Sequence, residues 1–574
     1  MPNGAELFVA AAARLGLDPI FTLVGDHLNE VLREAARAGM RIVDMRHESG
    51  VTHAADAWAR IHRKPALALV TGGPGHTNSL TGIATAHLAG SPLIAVSGSR
   101  PNTLAHRQAF QDIDQVAMAR PVVKWAAEPP DAAQIPWYLE RAYAIANSGR
   151  RGAVHLTIPV NVLAGGQGPA VGGQGPGGVP AASAGRDRGK EEPHFTQALP
   201  YPNPADVEKA IALLRAAERP IVIAGSGIWW SGAEDALRQF IERTSLPLYT
   251  ITMARGTVPD DHPLSMGYAD PALNYAVRTA FLEADLFLVI GKRIDYRLAL
   301  GGTRLFSKEA RFIQIDIHPE ELGLNRPLEV AMCADARVAL EALTDAAGSV
   351  PWPPRAWAGR LRNLRSDAQA RLAEAGAGSE ERRAAMHPAA FFRELHVALP
   401  RGVLYSWDGG DFAHWGRASL PALTAGGWLR LGPLGTIGSS LPNGLALQLA
   451  HPGRPVVVIT GDGALGFYIA EMDSAVRHRL PIILIVGNDA GWGLERELQS
   501  FATGGGATVA CELQPARYDV IMKGFGGEGD NIERLDQVRP AVARALASGV
   551  PYCLNVKIRG ARSPFTEWQI AGKK

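Results

Sequence analysis

Between Pro455 and Asn488 the chain reads as a strand, a sharp turn, a helical stretch and a second strand (PVVVITGDGALGFYIAEMDSAVRHRLPIILIVGN). Both apolar runs have strand length and are rich in β-branched side chains, and the segment between them carries a helical period. Parallel strands need a crossover of this kind and are buried on both faces, so this region must belong to an α/β sheet. The same alternation continues through almost all of the chain. Ala66 to Val70, Leu93 to Val96 and Val154 to Ile158 read as buried strands, and Glu30 to Ala38 and Val51 to Ala59 read as helices. A chain of 574 residues, 47% of them hydrophobic, is too long for one core. The expected fold is α/β, with three doubly wound parallel-sheet domains at about residues 1–163, 200–350 and 386–558.

The connections differ in composition from the blocks. Residues 164–199 open with AGGQGPAVGGQGPGGVPAASAGRDRGKEEP, which holds almost no large apolar side chain. Such a stretch buries too little surface to offset its ordering entropy, and it reads as a flexible linker. The PWPP run at Pro351 opens a second connection, residues 351–385, and residues 559–574 form a tail. Net charge is +2, which leaves no broad basic surface for nucleic acid. Cys333, Cys511 and Cys553 are far apart and form no ligand pattern, which fits a reducing cytoplasm. The N-terminus shows no signal-peptide pattern, and no apolar run approaches the roughly 20 residues of a membrane helix. A cytoplasmic protein without membrane partners is expected.

The two strands around Gly461-Asp462-Gly463 deliver Asp462 and Asn488 at their C-terminal ends, where open α/β sheets bind ligands. A carboxylate and an amide oxygen suit a hard cation such as Mg²⁺. Two side chains cannot fill its octahedron, so the carbonyl of Ala490, diphosphate oxygens and a water are expected to complete it. The free N–H groups of Gly463 and Ala464 open the helix and can receive a phosphate, and Gly463 lets it come close to the backbone. Gly-Asp-Gly by itself is an ordinary turn. A strand on each side, with Asn488 26 positions after Asp462, makes it a metal–diphosphate clamp.

This spacing resembles the motif of the thiamine diphosphate enzymes, the acetolactate synthase-like family. Other segments match that family across most of the chain. DMRHESGVTHAADAWAR resembles its Arg-His-Glu segment, with Glu48 at the cofactor-activating position. TGGPGHTN resembles its Gly-Pro-Gly loop. FQDIDQVAMARPVVKW resembles the stretch with an active-site Phe-Gln, here Phe110 and Gln111. VHLTIPVNV resembles the end of the pyrimidine-binding domain, with Asn161 where Asp is more usual. DGGDFAHWGR stands where relatives contact the diphosphate, through Gly410 and Asp411, and GPLGTIGSSLPNG resembles the aminopyrimidine-holding loop.

The resemblance implies a division of labour. Glu48 shares a proton with the pyrimidine ring and so activates the cofactor's own amino group as a base. Ile437 bends the cofactor from beneath, and the Gly435 carbonyl accepts from the amino group. The cofactors implied are thiamine diphosphate and Mg²⁺. In the middle block, IVIAGSGIWWSG carries no full dinucleotide fingerprint. GKRIDYRLALGG and IQIDIHPEELGLNR nevertheless resemble relatives that hold an adenine nucleotide, with Asp316 placed to bind a ribose of ADP or FAD. The family implies a homodimer or homotetramer in which two chains complete each cofactor site.

Fold alone does not choose among the family's reactions. No paired histidines of the pyruvate decarboxylase kind occur early in the first block. Benzaldehyde lyase resembles the chain at LVGDHLNEVL, with His27 at a polar active-site position. The ending RSPFTEWQI, with the middle block, looks more like bacterial 2-hydroxyacyl-CoA lyases, in which a C-terminal segment covers the thioester; here that segment would use Arg562 and Phe565. Such an enzyme would cleave a 2-hydroxyacyl-CoA, a small-molecule acyl-CoA substrate, to an aldehyde or ketone plus formyl-CoA. His27, Gln111 and Glu495 would orient oxygens or move protons. Two alternatives remain: a carboligase on free 2-ketoacids or aldehydes, and a non-catalytic nucleotide-binding relative. Retention of Glu48, Asp462 and Asn488 argues against the second.

Overall fold

A computed structural model describes residues 2–165, 198–376 and 385–572. It contains three six-stranded sheets with flanking helices, and the strands pair in parallel throughout them. The chain is α/β, with three parallel sheets. In space the first sheet runs Ile42–Asp44, Ile20–Thr22, Ala66–Val70, Leu93–Ser99, Val154–Pro159, Ala126–Ala127. The third repeats that order with Trp428–Arg430, Leu404–Trp407, Val456–Gly461, Ile483–Asn488, Tyr552–Lys557 and Glu528–Ile532. The middle sheet is wound differently: Val330–Cys333, Arg311–Asp316, Leu286–Ile290, Pro220–Ala224, Leu248–Thr250, Ser265–Tyr268. Its order reverses between Pro220–Ala224 and Leu286–Ile290, as in dinucleotide-binding sheets. Two compact bodies result, one around the first sheet, the other carrying the second and third sheets.

Central strands such as Leu286–Ile290 and Ile483–Asn488 are buried along their whole length, as expected for strands covered by helices on both faces. Register positions the clamp. Val457 pairs with Ile483 and Gly461 with Gly487, so Asp462 and Asn488 leave adjacent strands at the same level. Gly487 is forced by packing: a Cβ there would lie 2.2 Å from Cγ of Phe412.

Three segments differ from the sequence reading. The helical stretch expected between the two strands is two helices, Asp462–Leu465 and Glu471–Arg477. It opens after Gly466, where Phe467 and Tyr468 pack against Gly438; a Cβ on Gly438 would approach both within 2.7 Å. Residues 351–385, read as a linker, contain the helix Trp357–Glu374, which adds Trp357 and Leu361 to the central core. The tail folds as the helix Pro564–Ala571, with Ser563 capping it. Of the glycine-rich segment 164–199, residues 166–197 lie outside the described residues, as do 377–384 of the second connection. Among the described residues no helix is long and apolar enough to cross a membrane.

Gly487→Ala is expected to destabilise the chain by about 1–3 kcal/mol, the usual cost of overpacking. Urea unfolding would measure it, and an unchanged midpoint would refute the packing argument.

Candidate active site

In the first body, the helix Glu48–His62 begins at the C-terminal end of Ile42–Asp44. His47 caps it by accepting from the Ser49 N–H, which leaves Glu48 in the first turn, 8% exposed. Asn78 Nδ2 donates to Glu48 Oε2 at 3.0 Å. The loop Thr71–Gly75 passes beside it: a Cβ on Gly75 would lie 3.7 Å from Glu48 Oε1. His27, 7% exposed, lies on the same loop. Its Nδ1 is 2.9 Å from Thr71 Oγ1 and 3.2 Å from the Gly72 N–H. A backbone N–H can only donate, so Nδ1 accepts and the ring proton belongs on Nε2.

Phe110 and Gln111 separate. Phe110 is 79% exposed, whereas Gln111 turns inward at φ +59° and packs on Gly73, its Oε1 buried without a partner. Gln115, which the sequence reading did not single out, holds the loop. Its Oε1 accepts from the Gly73 N–H at 2.9 Å, and its Nε2 donates to the Gly98 carbonyl at 3.1 Å. Nearby, His76 and His155 share Ser97 and lie ring to ring at 4.6 Å. Burial lowers both, His76 to about 4, so they are neutral core groups and no proton source.

In the second body, Asp408 organises the ends of the third sheet. Its buried carboxylate accepts from the N–H groups of Gly409 and Gly438 and the hydroxyls of Ser440 and Thr460. Gly410 at φ +81° and Gly435 at φ +77° turn the two loops it joins. Ile437 packs over Gly409, with Cγ2 3.1 Å from where a Cβ would be. Asp411, expected at the diphosphate, also has a structural bond through one oxygen, while its Oδ2 is buried without a partner. Its Oδ1 accepts from the Ser563 N–H and from the hydroxyls of Ser563 and Thr566, and so fastens the C-terminal helix.

Asp462 accepts from the Gly491 N–H at 3.0 Å. Burial, reinforced by neighbouring Asp489, raises its carboxyl to about 7. Asn488 donates through Nδ2 to Ala516 O and Asn555 Oδ1, which leaves Oδ1 to the loop, where it accepts weakly from the Ala490 N–H at 3.2 Å. Ala490 holds a strained φ of +53°, yet its carbonyl accepts from the Leu513 N–H at 2.8 Å. Arg496 Nη2 also donates to it at 3.4 Å, so as a metal ligand it would have to give up that longer bond. Trp492 lies on Gly463, and both line an open pocket of about 500 Å³ with Asp462, Phe467 and Tyr518. Glu495 is exposed in the first turn of Gly493–Ala502.

Asp316 ends its strand in the middle sheet and caps the turn by accepting from the His318 N–H. Burial raises its carboxyl. The tail is docked. Arg562 pairs with Glu497, Phe565 stacks on His414 at 4.1 Å, and Arg304 lies over Trp568 at 3.9 Å.

Family models described as thiamine pyrophosphate enzyme domains match three segments: N-terminal TPP binding at 2–118, central at 207–343, and C-terminal TPP binding at 408–556. The acetolactate synthase large subunit IlvG of Mycobacterium tuberculosis is 33% identical over 545 residues, covering 94% of this chain and 93% of the relative. This chain belongs to the acetolactate synthase-like family of thiamine diphosphate enzymes. The family is broader than one reaction. 2-Hydroxyacyl-CoA lyase 2 of Caenorhabditis elegans is 31% identical, covering 95% of this chain and 87% of the relative. Oxalyl-CoA decarboxylase of Escherichia coli K12 is 29% identical, covering 97% and 95%.

The second body suits a metal–diphosphate group. Asp462 is buried and Asp489 half-buried, and among the described residues Arg496 is the one cation paired with Asp489, an arrangement that suits a further cation. Among the described residues no cluster of three or more His, Cys, Asp or Glu side chains surrounds a metal position, so backbone and ligand oxygens would have to complete the shell.

The raised carboxyl has a pH consequence. Without a cation the folded chain holds a proton on Asp462 that the unfolded chain gives up. The stability this contributes is full below about pH 4 and is lost as pH rises through about 7. Cation binding must displace that proton. Mg²⁺ with thiamine diphosphate is therefore expected to raise the melting temperature more at pH 8 than at pH 6, with Mg²⁺ affinity climbing on the order of tenfold per pH unit below 7. Calorimetric melts giving the same rise at both pH values would contradict this.

Proposed function

We propose that this thiamine diphosphate enzyme is a carbon–carbon lyase. It would cleave a 2-hydroxyacyl-CoA to an aldehyde or ketone plus formyl-CoA, and run in reverse as an acyloin condensation. Bound thiamine diphosphate would supply the nucleophilic carbon on which cleavage depends. The observation that carries the reading is the pairing of His27 with Glu48 around one loop. Breaking a carbon–carbon bond beside a hydroxyl requires a donor that holds the substrate oxygen and an activator for the cofactor; the Nε2–H of His27 and the carboxylate of Glu48, both packed against the Thr71–Gly75 loop, would supply the two.

In this scheme Glu48 Oε1 shares a proton with the pyrimidine end while Asn78 restrains the other oxygen. His27 keeps Nδ1 as an acceptor, so its Nε2–H would donate to a substrate oxygen and orient it. The buried amide of Gln111 orients a carbonyl. Glu495, exposed, would serve the substrate hydroxyl. Asp462, Asn488 and the Ala490 carbonyl would hold Mg²⁺; the N–H groups of Gly463 and Ala464, with Gly410, would hold the diphosphate. The Gly435 carbonyl and Ile437 would hold the bent aminopyrimidine. ADP or FAD at Asp316, a cytoplasmic location, and a homodimer or homotetramer with cofactor sites shared between subunits belong to the same reading. The CoA substrate is supported by the lyases and the decarboxylase among the relatives, whose names specify thioesters.

One observation favours a second reading, a carboligase on free 2-ketoacids. The C-terminal helix is held by Asp411, Glu497 and Arg304, and is not free to cover a thioester.

A panel of a 2-hydroxyacyl-CoA, oxalyl-CoA, pyruvate and benzoin separates the two. Aldehyde and formyl-CoA are expected from the first; turnover of pyruvate alone, without CoA, would replace the lyase reading with the second. Glu48→Gln is expected to lower every activity by about 10²–10⁴-fold while sparing Mg²⁺-dependent stabilisation. Full activity in that variant would remove Glu48 from the mechanism.

A further inference from the structure

In the first body, the tautomer of His27 hangs on two adjacent glycines. Its Nδ1 lies 2.9 Å from Thr71 Oγ1 and 3.2 Å from the Gly72 N–H. A hydroxyl donates or accepts, so Thr71 does not choose between the two tautomers. Asp26 Oδ1, 3.8 Å from the same nitrogen, favours a proton on Nδ1. The Gly72 N–H, which can only donate, opposes this and places the proton on Nε2. Yet glycine is the most permissive residue a loop can contain. Gly73, next in the chain, already sits at φ +62° and ψ −115°. The direction of that N–H must be fixed from outside the loop.

Gln115 supplies the fixing. It opens the helix Gln115–Ala119 and is 2% exposed. Its Oε1 accepts from the Gly73 N–H at 2.9 Å, and its Nε2 donates to the Gly98 carbonyl at 3.1 Å and to Thr157 Oγ1 at 3.3 Å. Gly73 follows Ala66–Val70, Gly98 lies in Leu93–Ser99 and Thr157 in Val154–Pro159, so one amide ties the ends of three neighbouring strands. The amide cannot flip, because it meets a donor-only N–H at one end and an acceptor-only carbonyl at the other. The glycines it grips are those that enclose His27. A Cβ on Gly98 would lie 2.4 Å from His27 Cβ. One on Gly72 would lie 2.6 Å from the Gly98 oxygen, 3.2 Å from Gln115 Oε1 and 3.3 Å from His27 Cε1. Gln111 packs on Gly73, where a Cβ would lie 2.8 Å from its own Cβ.

We propose that Gln115 is a positioning residue for the reaction: by holding the Gly73 N–H and the Gly98 carbonyl, it aims the Gly72 N–H at His27 and keeps the imidazole in its Nε2–H tautomer. The inference rests on the reading of His27 as a donor to substrate oxygen. Gln115 acts through the backbone. Pinning the Gly73 N–H fixes the plane of the Gly72–Gly73 peptide, and with it the ψ at which Gly72 presents its own N–H to Nδ1. Loss of the amide frees both glycines. The His27 proton then shifts toward Nδ1, where Thr71 and Asp26 stand to receive it. Nε2 is left with a lone pair, which repels a substrate oxygen instead of holding it.

The test uses the full chain, saturated with thiamine diphosphate and Mg²⁺ and labelled with ¹⁵N in its histidine rings. Solid-state NMR reads which nitrogen of each ring is protonated, and the signals lost in His27→Phe identify His27. In the unsubstituted protein the proton is expected on Nε2; a proton on Nδ1 overturns the proposal. Gln115→Met, similar in length, is expected to give a mixture of tautomers. It should also lower kcat by on the order of tenfold to a hundredfold on whichever substrate of the panel is turned over, with little change in KM. Thr157→Val removes the longest of the amide's bonds and is expected to leave tautomer and kcat unchanged, which separates aiming from loss of stability. Gln115→Glu keeps an oxygen for the Gly73 N–H and is expected to hold the Nε2–H tautomer even where Gln115→Met does not fold. An unaltered tautomer in Gln115→Met, or a shifted one in Gln115→Glu, overturns the proposal. So does a tautomer that shifts while kcat stays unchanged. If no substrate of the panel is turned over, the lyase reading fails, and the tautomer measurement still decides the role of Gln115.

Discussion

The carboxylate of Asp408 is the interaction on which the third sheet's functional edge depends. It is fully buried, and its neighbours are donors rather than a cation: two backbone N–H groups and two hydroxyls. Burial raises its carboxyl, and those donors work against the rise. In doing so it fastens the end of Leu404–Trp407 to the end of Val456–Gly461 and to the loop carrying Gly435 and Ile437. Buried charge-assisted hydrogen bonds of this kind are strong, and leaving one donor unmet is costly. The positions of Gly410, Ile437 and Asp462 are thus linked through one side chain that itself touches no ligand in the proposed scheme.

The first and third sheets share one strand order, and each delivers its proposed chemistry at strand ends: Glu48 after Ile42–Asp44 in one, Asp462 and Asn488 in the other. The middle sheet has a different order and a different surface. Its edge gathers arginines where the other two gather acids and amides. One α/β plan therefore presents different side chains, because the sheet fixes only where they emerge.

Much of this was legible along the chain. The strand–turn–helical–strand pattern places Asp462 and Asn488 at neighbouring strand ends, because a short crossover between adjacent parallel strands leaves little freedom of register. Glu48 was legible only through the resemblance of its segment, since a glutamate opening a helix is usually solvated. Asn78 and Gln115 were missed for a physical reason. Asn78 holds Glu48 from 30 residues away, and Gln115 reaches back 42 residues to Gly73, with no local period to mark either. Asp411 shows the same limit from the other side. Nothing in its motif shows that one of its oxygens also holds Ser563, 152 residues later.

The sequence by itself determined the fold class, the cofactor family and the strand-end positions of Asp462 and Asn488. These depend on strand-length apolar runs, helical period and turn residues, all of which act over a few neighbouring positions. Tertiary structure alone decided which groups are spent on the scaffold and which are left for ligands. It turned Gln111 inward and Phe110 out, docked the C-terminal helix, and occupied the Ala490 carbonyl with Leu513. Hydrogen bonds and ion pairs between distant segments depend on distances that no local pattern encodes, so the employment of a polar side chain is settled only when the chain closes around it.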